Sequence, residues 1–165
     1  MSVISVEKDV EALTLTLVAE FAAPVDRVWE LWADPRRLER WWGPPTYPAT
    51  VEEHELRPGG RVTYFMTSPE GERHHGWMEI TAVEPPLALR FREGFADEHG
   101  TPADGMPSTT MDVRLTERDG VTRMELRAAF DSREGMDQLV AMGMPEGLRE
   151  AVGQIDALLA ETVRS

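Results

Sequence analysis

The fold of this chain is decided by residues 21–45, which read FAAPVDRVWELWADPRRLERWWGPP. The first half of this stretch places apolar side chains at the i, i+3, i+4, i+7 spacing of one helical face: Val25, Val28, Trp29 and Trp32. Pro24 suits the first position of this helix, because the N–H that proline lacks would have no partner there. The stretch therefore predicts a short amphipathic helix with an aromatic face.

A second short helix is predicted to follow at once. Asp34 is a natural N-cap for it, and Gly43-Pro44-Pro45 ends it. Its apolar face carries Leu38, Trp41 and Trp42. Two helices with aromatic faces need an apolar surface to cover, so we expect them to form a lid over a sheet and to roof a pocket.

The composition limits the classes of function. The chain has 165 residues and no cysteine, which fits one domain with a sizeable core and excludes disulfides, thiolate catalysis and cysteine-ligated zinc. Its first residues are acidic where a secretory signal would be basic, and no apolar run approaches the roughly 20 residues that span a bilayer. We therefore expect a cytoplasmic protein without a membrane span.

The charge of the chain argues against nucleic-acid binding. The formal net charge is −13, so the surface repels phosphate backbones. One local basic cluster, Arg36, Arg37 and Arg40, lies on the second short helix. We interpret it as a solvated helix face rather than an anion site, because so short a block of charge is typical of an exposed surface.

Much of the remaining chain predicts β-strands. Residues 11–21 alternate apolar and polar side chains, as a half-buried strand does. Six further strand segments follow, at 46–57, 61–67, 73–83, 87–93, 109–117 and 121–130. Consecutive strands with short turns predict an antiparallel meander. Residues 94–108 have no periodicity and predict a long loop, either functional or a simple surface insertion.

The periodicity becomes helical from Ser132 onward. We expect Asp131 to cap this helix with Glu134 as its capping-box partner, residues 143–145 to bend it, and residues 145–163 to form its longer, more regular part. The fold class is then α+β, with a curved antiparallel sheet of about seven strands wrapped around a long C-terminal helix. We expect such a sheet to leave an apolar cavity against the helix.

Several short motifs occur in a characteristic order: Ala23-Pro24, Val28-Trp29, Trp32, Asp34-Pro35, Leu38, Trp41-Trp42-Gly43-Pro44, Leu56-Arg57-Pro58-Gly59-Gly60, Gly76, Glu84-Pro85-Pro86-Leu87, Asp119-Gly120 and Gly143-Met144-Pro145-Glu146-Gly147-Leu148-Arg149. Together they resemble the START-like (SRPBCC, helix-grip) superfamily, in particular bacterial homologues of the activator of the heat-shock-ninety chaperone ATPase. The resemblance implies one START-like domain over residues 1–165, with a core at about 13–160. It also implies an internal cavity for a lipid, a polyketide or another small hydrophobic molecule.

Side chains that the alternation points inward are our candidates for the cavity wall. They are Trp32, Trp42, Val62, Tyr64, Met66, Met78, Leu89, Phe91, Met111, Val113, Met124, Leu126, Met136, Val140, Met144 and Leu148. Methionine is flexible and polarizable, which suits a pocket that adapts to its occupant, although ordinary core packing would give the same pattern. Tyr64 carries the hydroxyl best suited to orient a ligand.

Three residues are candidates for catalysis: His54, His74 and Tyr64. One strand parity brings Glu52 and His54 inward as a pair able to act as a general base, and the opposite parity brings Val51 inward instead; the alternation leaves both open. The sequence has no HExxH, GxSxG, P-loop or post-strand GxGxxG motif, so we expect neither a metal nor a cofactor.

These observations leave three functions, in order of preference. The first is a non-enzymatic module that binds a small hydrophobic ligand in stress response, sequestration or resistance. The second is a cyclase- or hydratase-type enzyme that uses polar groups in the same cavity. The third is a co-chaperone-like interaction protein, although the chain has no room for the separate N-terminal domain of the eukaryotic co-chaperone. Trp77 points to the opposite face of its strand, which favours either a homodimer contact or partial cover by its neighbours.

Overall fold

The computed structural model describes residues 3–163. Its strands are β1 (Val3–Asp9), β2 (Thr14–Phe21), β3 (Ala49–His54), β4 (Arg61–Thr67), β5 (Arg73–Glu84), β6 (Ala88–Phe95), β7 (Ser108–Arg118) and β8 (Val121–Phe130). Its helices are α1 (Val25–Ala33), α2 (Pro35–Leu38), α3 (Arg133–Ala141), α4 (Met144–Val152) and α5 (Ile155–Val163). The strands form one antiparallel sheet in the order β1-β2-β8-β7-β6-β5-β4-β3. The predicted α+β helix-grip architecture is confirmed.

The sheet contains eight strands instead of about seven. The additional strand is β1, which pairs antiparallel with β2 at the edge of the sheet. Its second half is the charged run Glu7-Lys8-Asp9, so it lacks the apolar alternation that marks the other strands. Charged side chains are common on edge strands, because they discourage pairing with another chain. Pairing with β2, rather than local pattern, makes this segment a strand.

The C-terminal helix is divided into three segments. Gly143 separates α3 from α4 with a left-handed φ of 91°, so the predicted interruption at residues 143–145 is confirmed. The expected regular helix over residues 145–163 was wrong, because a second interruption separates α4 from α5 at Gly153 and Gln154. There, the Gln154 side-chain amide donates a 2.8 Å hydrogen bond to the carbonyl of Gly43, which ties the helix to the lid.

The start of α3 differs from the prediction by one residue. Ser132, not Asp131, is the N-cap, and its hydroxyl accepts a 2.9 Å hydrogen bond from the backbone N–H of Gly135. Asp131 instead pairs with Arg92 of β6 at 3.0 Å. Either residue type can cap a helix. Asp131 is engaged by Arg92, which is distant in sequence, so the local sequence does not reveal that Ser132 is the cap.

The two short helices form the predicted lid. Asp34 caps α2 as expected, accepting a 2.9 Å hydrogen bond from the backbone N–H of Arg36, while Pro24 is the N-cap of α1 and lies one position earlier than predicted. The inner face of α1 is buried, and the Trp41 indole donates a 2.9 Å hydrogen bond to the Leu31 carbonyl. No helix within residues 3–163 is long and apolar enough to cross a membrane.

Candidate functional site

A cavity of about 560 Å³ lies between the sheet and the helices, toward one end of the fold. Strands β4, β5, β6 and β7 contribute its sheet wall, and the connection from α2 to β3 contributes part of its roof. The other wall comes from the end of α3 and the start of α4. The volume lies within the range of about 300–1,000 Å³ that is typical of small-molecule sites.

The sheet wall depends on the absence of a side chain at Gly76. Gly76 of β5 pairs with Tyr64 of β4, and the Tyr64 ring lies over it. A Cβ at Gly76 would lie only 2.4 Å from the Tyr64 hydroxyl oxygen, closer than any real contact. The glycine therefore allows a large aromatic side chain to lie against the sheet beside the cavity.

The helical wall depends on the interruption at Gly143. Because its left-handed conformation ends α3 and allows α4 to begin in a new direction, residues from both helices border the cavity. Leu139 and Met142 come from the α3 side, and Met144 and Leu148 come from α4. These four side chains are apolar.

The cavity is open to solvent at its rim. Met142 is 55% exposed and Tyr47 is 37% exposed, and both border the cavity. His74 is also exposed at this rim, with its ring centroid 5.9 Å from that of Tyr47. Met66 and Met144 are half-buried. A ligand can therefore enter past flexible and aromatic side chains.

A carboxyl group, that of Glu93, borders the cavity. Its Oε1 accepts a 3.3 Å hydrogen bond from the Thr109 hydroxyl. Burial raises the pKa of Glu93 to about 7, against the smaller opposing effect of this hydrogen bond. The side chain is half-buried, and its desolvation by the surrounding protein is the larger of the two effects. Sequence analysis missed Glu93, yet it shares the strand parity of Leu89 and Phe91 and could have been found by extending that pattern.

Tyr64 places a neutral phenol beside this carboxyl group. Burial, followed by the charge of Glu93, raises the pKa of Tyr64 above its ordinary value, so the phenol stays protonated at neutral pH. The Trp42 ring packs edge-on against Tyr64, with centroids 6.2 Å apart. The cavity thus combines apolar walls with a small polar group at Tyr64, Glu93 and Thr109.

Comparison with known proteins identifies the family. Residues 22–160 match the family model described as "Activator of Hsp90 ATPase homolog 1-like protein". The chain belongs to this family. The START-like resemblance predicted from the sequence is confirmed.

Several solved structures are similar to this chain in sequence and in fold. The chain is 52% identical to protein Ms6760 from Mycobacterium smegmatis, with a TM-score of 0.88 over 95% of this chain and 96% of that one. It is also 52% identical to a protein from Arthrobacter aurescens, with a TM-score of 0.93 over 97% and 93% of the two chains. A Rhodobacter sphaeroides protein is 25% identical, with a TM-score of 0.82 over 98% and 99%. Proteins with curated functions gave no match.

The predicted wall residues of this family member fall into two groups. Five border the cavity: Trp42, Tyr64, Met66, Met144 and Leu148. The others pack in the core or against it, away from the cavity: Trp32, Val62, Met78, Leu89, Phe91, Met111, Val113, Met124, Leu126, Met136 and Val140. Sequence alternation identifies which side chains of a strand face inward. It does not show which of them pack in the core and which border a cavity.

An aromatic cluster fills the interior on the side of α1. The Trp32 ring centroid lies 4.7 Å from that of Trp41, 5.6 Å from that of Trp42 and 6.1 Å from that of Phe91. Trp42 also borders the cavity, so its ring is the boundary between packed core and open space. The cavity therefore lies beyond Trp42, at the end of the fold near the α3–α4 junction.

Of the three candidate catalytic residues, Tyr64 and His74 border the cavity and His54 does not. The register of β3 against β4 shifts between Val51 and Glu53, so Glu52 is the extra residue of a β-bulge and is exposed. The bulge lets both Val51 and His54 face inward, which regular alternation does not allow. His54 then lies 3.0 Å from the Trp32 carbonyl under α1 and does not border the cavity.

Two further expectations concern metal binding and Trp77. Residues 3–163 contain no group of three His, Asp or Glu side chains arranged to hold a metal. Trp77 is half-buried on the outer face of the sheet, where its ring packs over Gly94. This arrangement corresponds to the partial cover by neighbours that was the alternative to a dimer contact.

Proposed function

We propose that the protein is a small-molecule-binding module that holds a hydrophobic ligand in the cavity between β4–β7 and the α3–α4 junction. The observation that carries this proposal is the cavity of about 560 Å³. A cavity of this size, bordered mainly by apolar groups and a few polar ones, has the composition of a typical ligand site. In this proposal the whole chain acts as one START-like domain in the cytoplasm.

The methionines at the cavity support binding of ligands that differ in shape. Met66, Met142 and Met144 border the space, and each has an unbranched, flexible side chain. In contrast, Met78, Met111 and Met124 are buried in the core. The adaptable side chains therefore lie where an occupant would touch the protein, which favours sequestration or transport over recognition of a single rigid ligand.

The geometry favours binding over the enzyme alternative. The cyclase or hydratase predicted from the sequence would use Tyr64 with His54 or His74 as acid and base inside the cavity. His54 does not border the cavity, His74 is exposed at its rim, and no carboxylate–imidazole hydrogen bond joins cavity residues within the described chain. The co-chaperone alternative stays a prediction, and a pull-down that recovers no chaperone would count against it.

A variant that fills the cavity tests the proposal. Gly147 of α4 borders the cavity, and a Cβ placed there meets no heavy atom within 4 Å. Gly147→Trp should therefore fill the space without disturbing the helix. Gly147→Ala is the matched control, because it adds only a methyl group and should stabilise the helix by about 0.5–1 kcal/mol.

The readout is the fluorescence of Nile red, a neutral dye that brightens in apolar surroundings, together with native mass spectrometry. We expect saturable one-to-one binding to wild type and to Gly147→Ala, and at least tenfold weaker binding to Gly147→Trp. Thermal unfolding of each variant shows whether it is folded. A dye that does not bind wild type, or binds Gly147→Trp as tightly as Gly147→Ala, would overturn the proposal.

A further inference from the structure

Glu93 borders the cavity without an oppositely charged partner. It follows Leu89 and Phe91 on the inward face of β6. Its carboxylate accepts a hydrogen bond from the Thr109 hydroxyl. No Lys, Arg or His within residues 3–163 forms an ion pair with it. The carboxyl group is therefore available to a charged group that enters from outside.

The other groups around the cavity supply no strong cation. Strand β4 contributes the neutral phenol of Tyr64, and β7 contributes the hydroxyl of Thr109. Strand β5 contributes His74 at the exposed rim and also His75, whose ring packs 5.6 Å from that of Phe65. The α2–β3 connection and helices α3 and α4 contribute only uncharged residues. No Lys or Arg of the described chain borders the cavity.

This charge inventory discriminates between ligand classes. A carboxylate in apolar surroundings is unfavourable unless an opposite charge pairs with it. A bound ammonium group would supply that charge and would also find the Tyr64 hydroxyl as an acceptor. A bound carboxylate would be repelled by Glu93 and would find no Lys or Arg. The formal net charge of −13 adds a long-range field that attracts cations and repels anions.

We propose that the cavity takes hydrophobic molecules that carry one protonated amine, and that Glu93 is the carboxylate that pairs with the ammonium group. This inference rests on the proposed function and adds the charge of the ligand to it. The raised pKa of Glu93, about 7, agrees with a carboxyl group that lacks its counter-charge. Binding of the amine should lower that pKa, because it stabilises the charged form.

A matched series of ligands tests the inference. Octylamine, octanol and octanoate have the same alkyl chain and differ in the charge of the head group. Each would compete with Nile red for wild type at about pH 8.5, where Glu93 is ionised and the amine is protonated. We expect octylamine to displace the dye at a concentration about 10- to 100-fold lower than octanol, because its hydrogen bond is to a charged group, and octanoate to be the weakest competitor.

Two variants separate Glu93 from the general charge of the protein. In Glu93→Gln, octylamine and octanol should compete equally. Glu146→Gln is the matched control, because Glu146 is an exposed carboxylate on α4 next to Gly147; it should keep the preference for octylamine. If Glu93→Gln keeps the preference to the same degree as Glu146→Gln, the overall charge of the protein, and not Glu93, selects the amine, and the inference is overturned.

The pH of the competition gives a second, independent measurement. At about pH 5.5 Glu93 is protonated, so wild type should lose its preference for octylamine. Glu93→Gln is the control for this measurement, because any pH dependence that persists in this variant comes from groups other than Glu93. If Nile red binds and octylamine and octanol compete equally with wild type at about pH 8.5, this inference fails while the proposed function stands. If Nile red does not bind, both fail.

Discussion

The position of Tyr64 over Gly76 predicts a large and specific effect of Gly76→Ala. The added Cβ would lie 2.4 Å from both Cζ and the hydroxyl oxygen of Tyr64, whereas carbon atoms pack at about 3.5–4.0 Å. The ring must therefore move by about 1 Å from a site in which Tyr64 is only 8% exposed. We expect the free energy of unfolding to fall by about 1–3 kcal/mol, as in other overpacked interiors.

A double-mutant cycle shows whether the clash is the cause. In a Tyr64→Leu background the shorter side chain does not reach over residue 76. Gly76→Ala should then be neutral or should stabilise the strand by about 0.5–1 kcal/mol, because alanine loses less backbone entropy than glycine. Urea unfolding of the four proteins would give a coupling energy of about 1–4 kcal/mol, the difference between these two effects. Equal effects of Gly76→Ala in both backgrounds would refute the reasoning.

Three further predictions concern the helix cap, the core and the buried carboxyl group. Ser132→Ala should lower the free energy of unfolding, measured in urea, by about 1 kcal/mol, and Asp131→Ala should lower it less. The reverse order would contradict the assignment of Ser132 as the N-cap of α3. Met111→Ala should lower the free energy of unfolding by about 2–5 kcal/mol. Leu148→Ala should lower it by less, because the Leu148 side chain already borders open space, and equal losses of thermal stability in the two variants would contradict this. Because the pKa of Glu93 is raised to about 7 in the folded state, its ionisation destabilises the folded protein. As the pH rises from about 4.5 to 7, the free energy of unfolding of wild type should fall by up to about 3 kcal/mol relative to that of Glu93→Gln. Parallel pH curves for the two proteins would contradict this.

The fold could be predicted from local sequence because its signals are local. Asp34 caps α2 through a hydrogen bond to a residue two positions later, and a Gly-Met-Pro sequence interrupts a helix in almost any surrounding. Neither effect depends on residues distant in sequence. Inward-facing residues of β4 and β8 follow from simple alternation. In contrast, β1 is a strand only because β2 pairs with it, and its charged second half carries no signal of burial.

The location of the cavity could not be predicted in the same way. Alternation marks Met111 and Met66 as equally inward, but only Met66 borders the cavity, because Trp32, Trp41 and Phe91 fill the interior elsewhere. Packing depth is set by side chains that are distant in sequence. The β3 bulge likewise lets Val51 and His54 both face inward, a combination that neither regular parity describes, since one inserted residue reverses the alternation.

Glu93 is the most informative of the residues that were missed. Its position on the inward face of β6 is evident from the parity of Phe91, but a charged residue at the end of an apolar strand is usually exposed. Only the shape of the fold, which encloses this end of β6, makes the carboxyl group part of a cavity. The apolar pattern therefore predicts which face of each strand is inward. A charged residue at an inward position, such as Glu93, indicates which polar groups a cavity on that face contains.

The central claim is that a hydrophobic molecule occupies this cavity, and methyl NMR of methionine tests it most directly. Addition of octanol to wild type should shift the methyl resonances of the cavity residues Met66, Met142 and Met144, and should leave those of the core residues Met78, Met111 and Met124 nearly unchanged. Shifts that saturate and are confined to the first group are the predicted result. An unchanged spectrum, or equal shifts in both groups, would contradict the account.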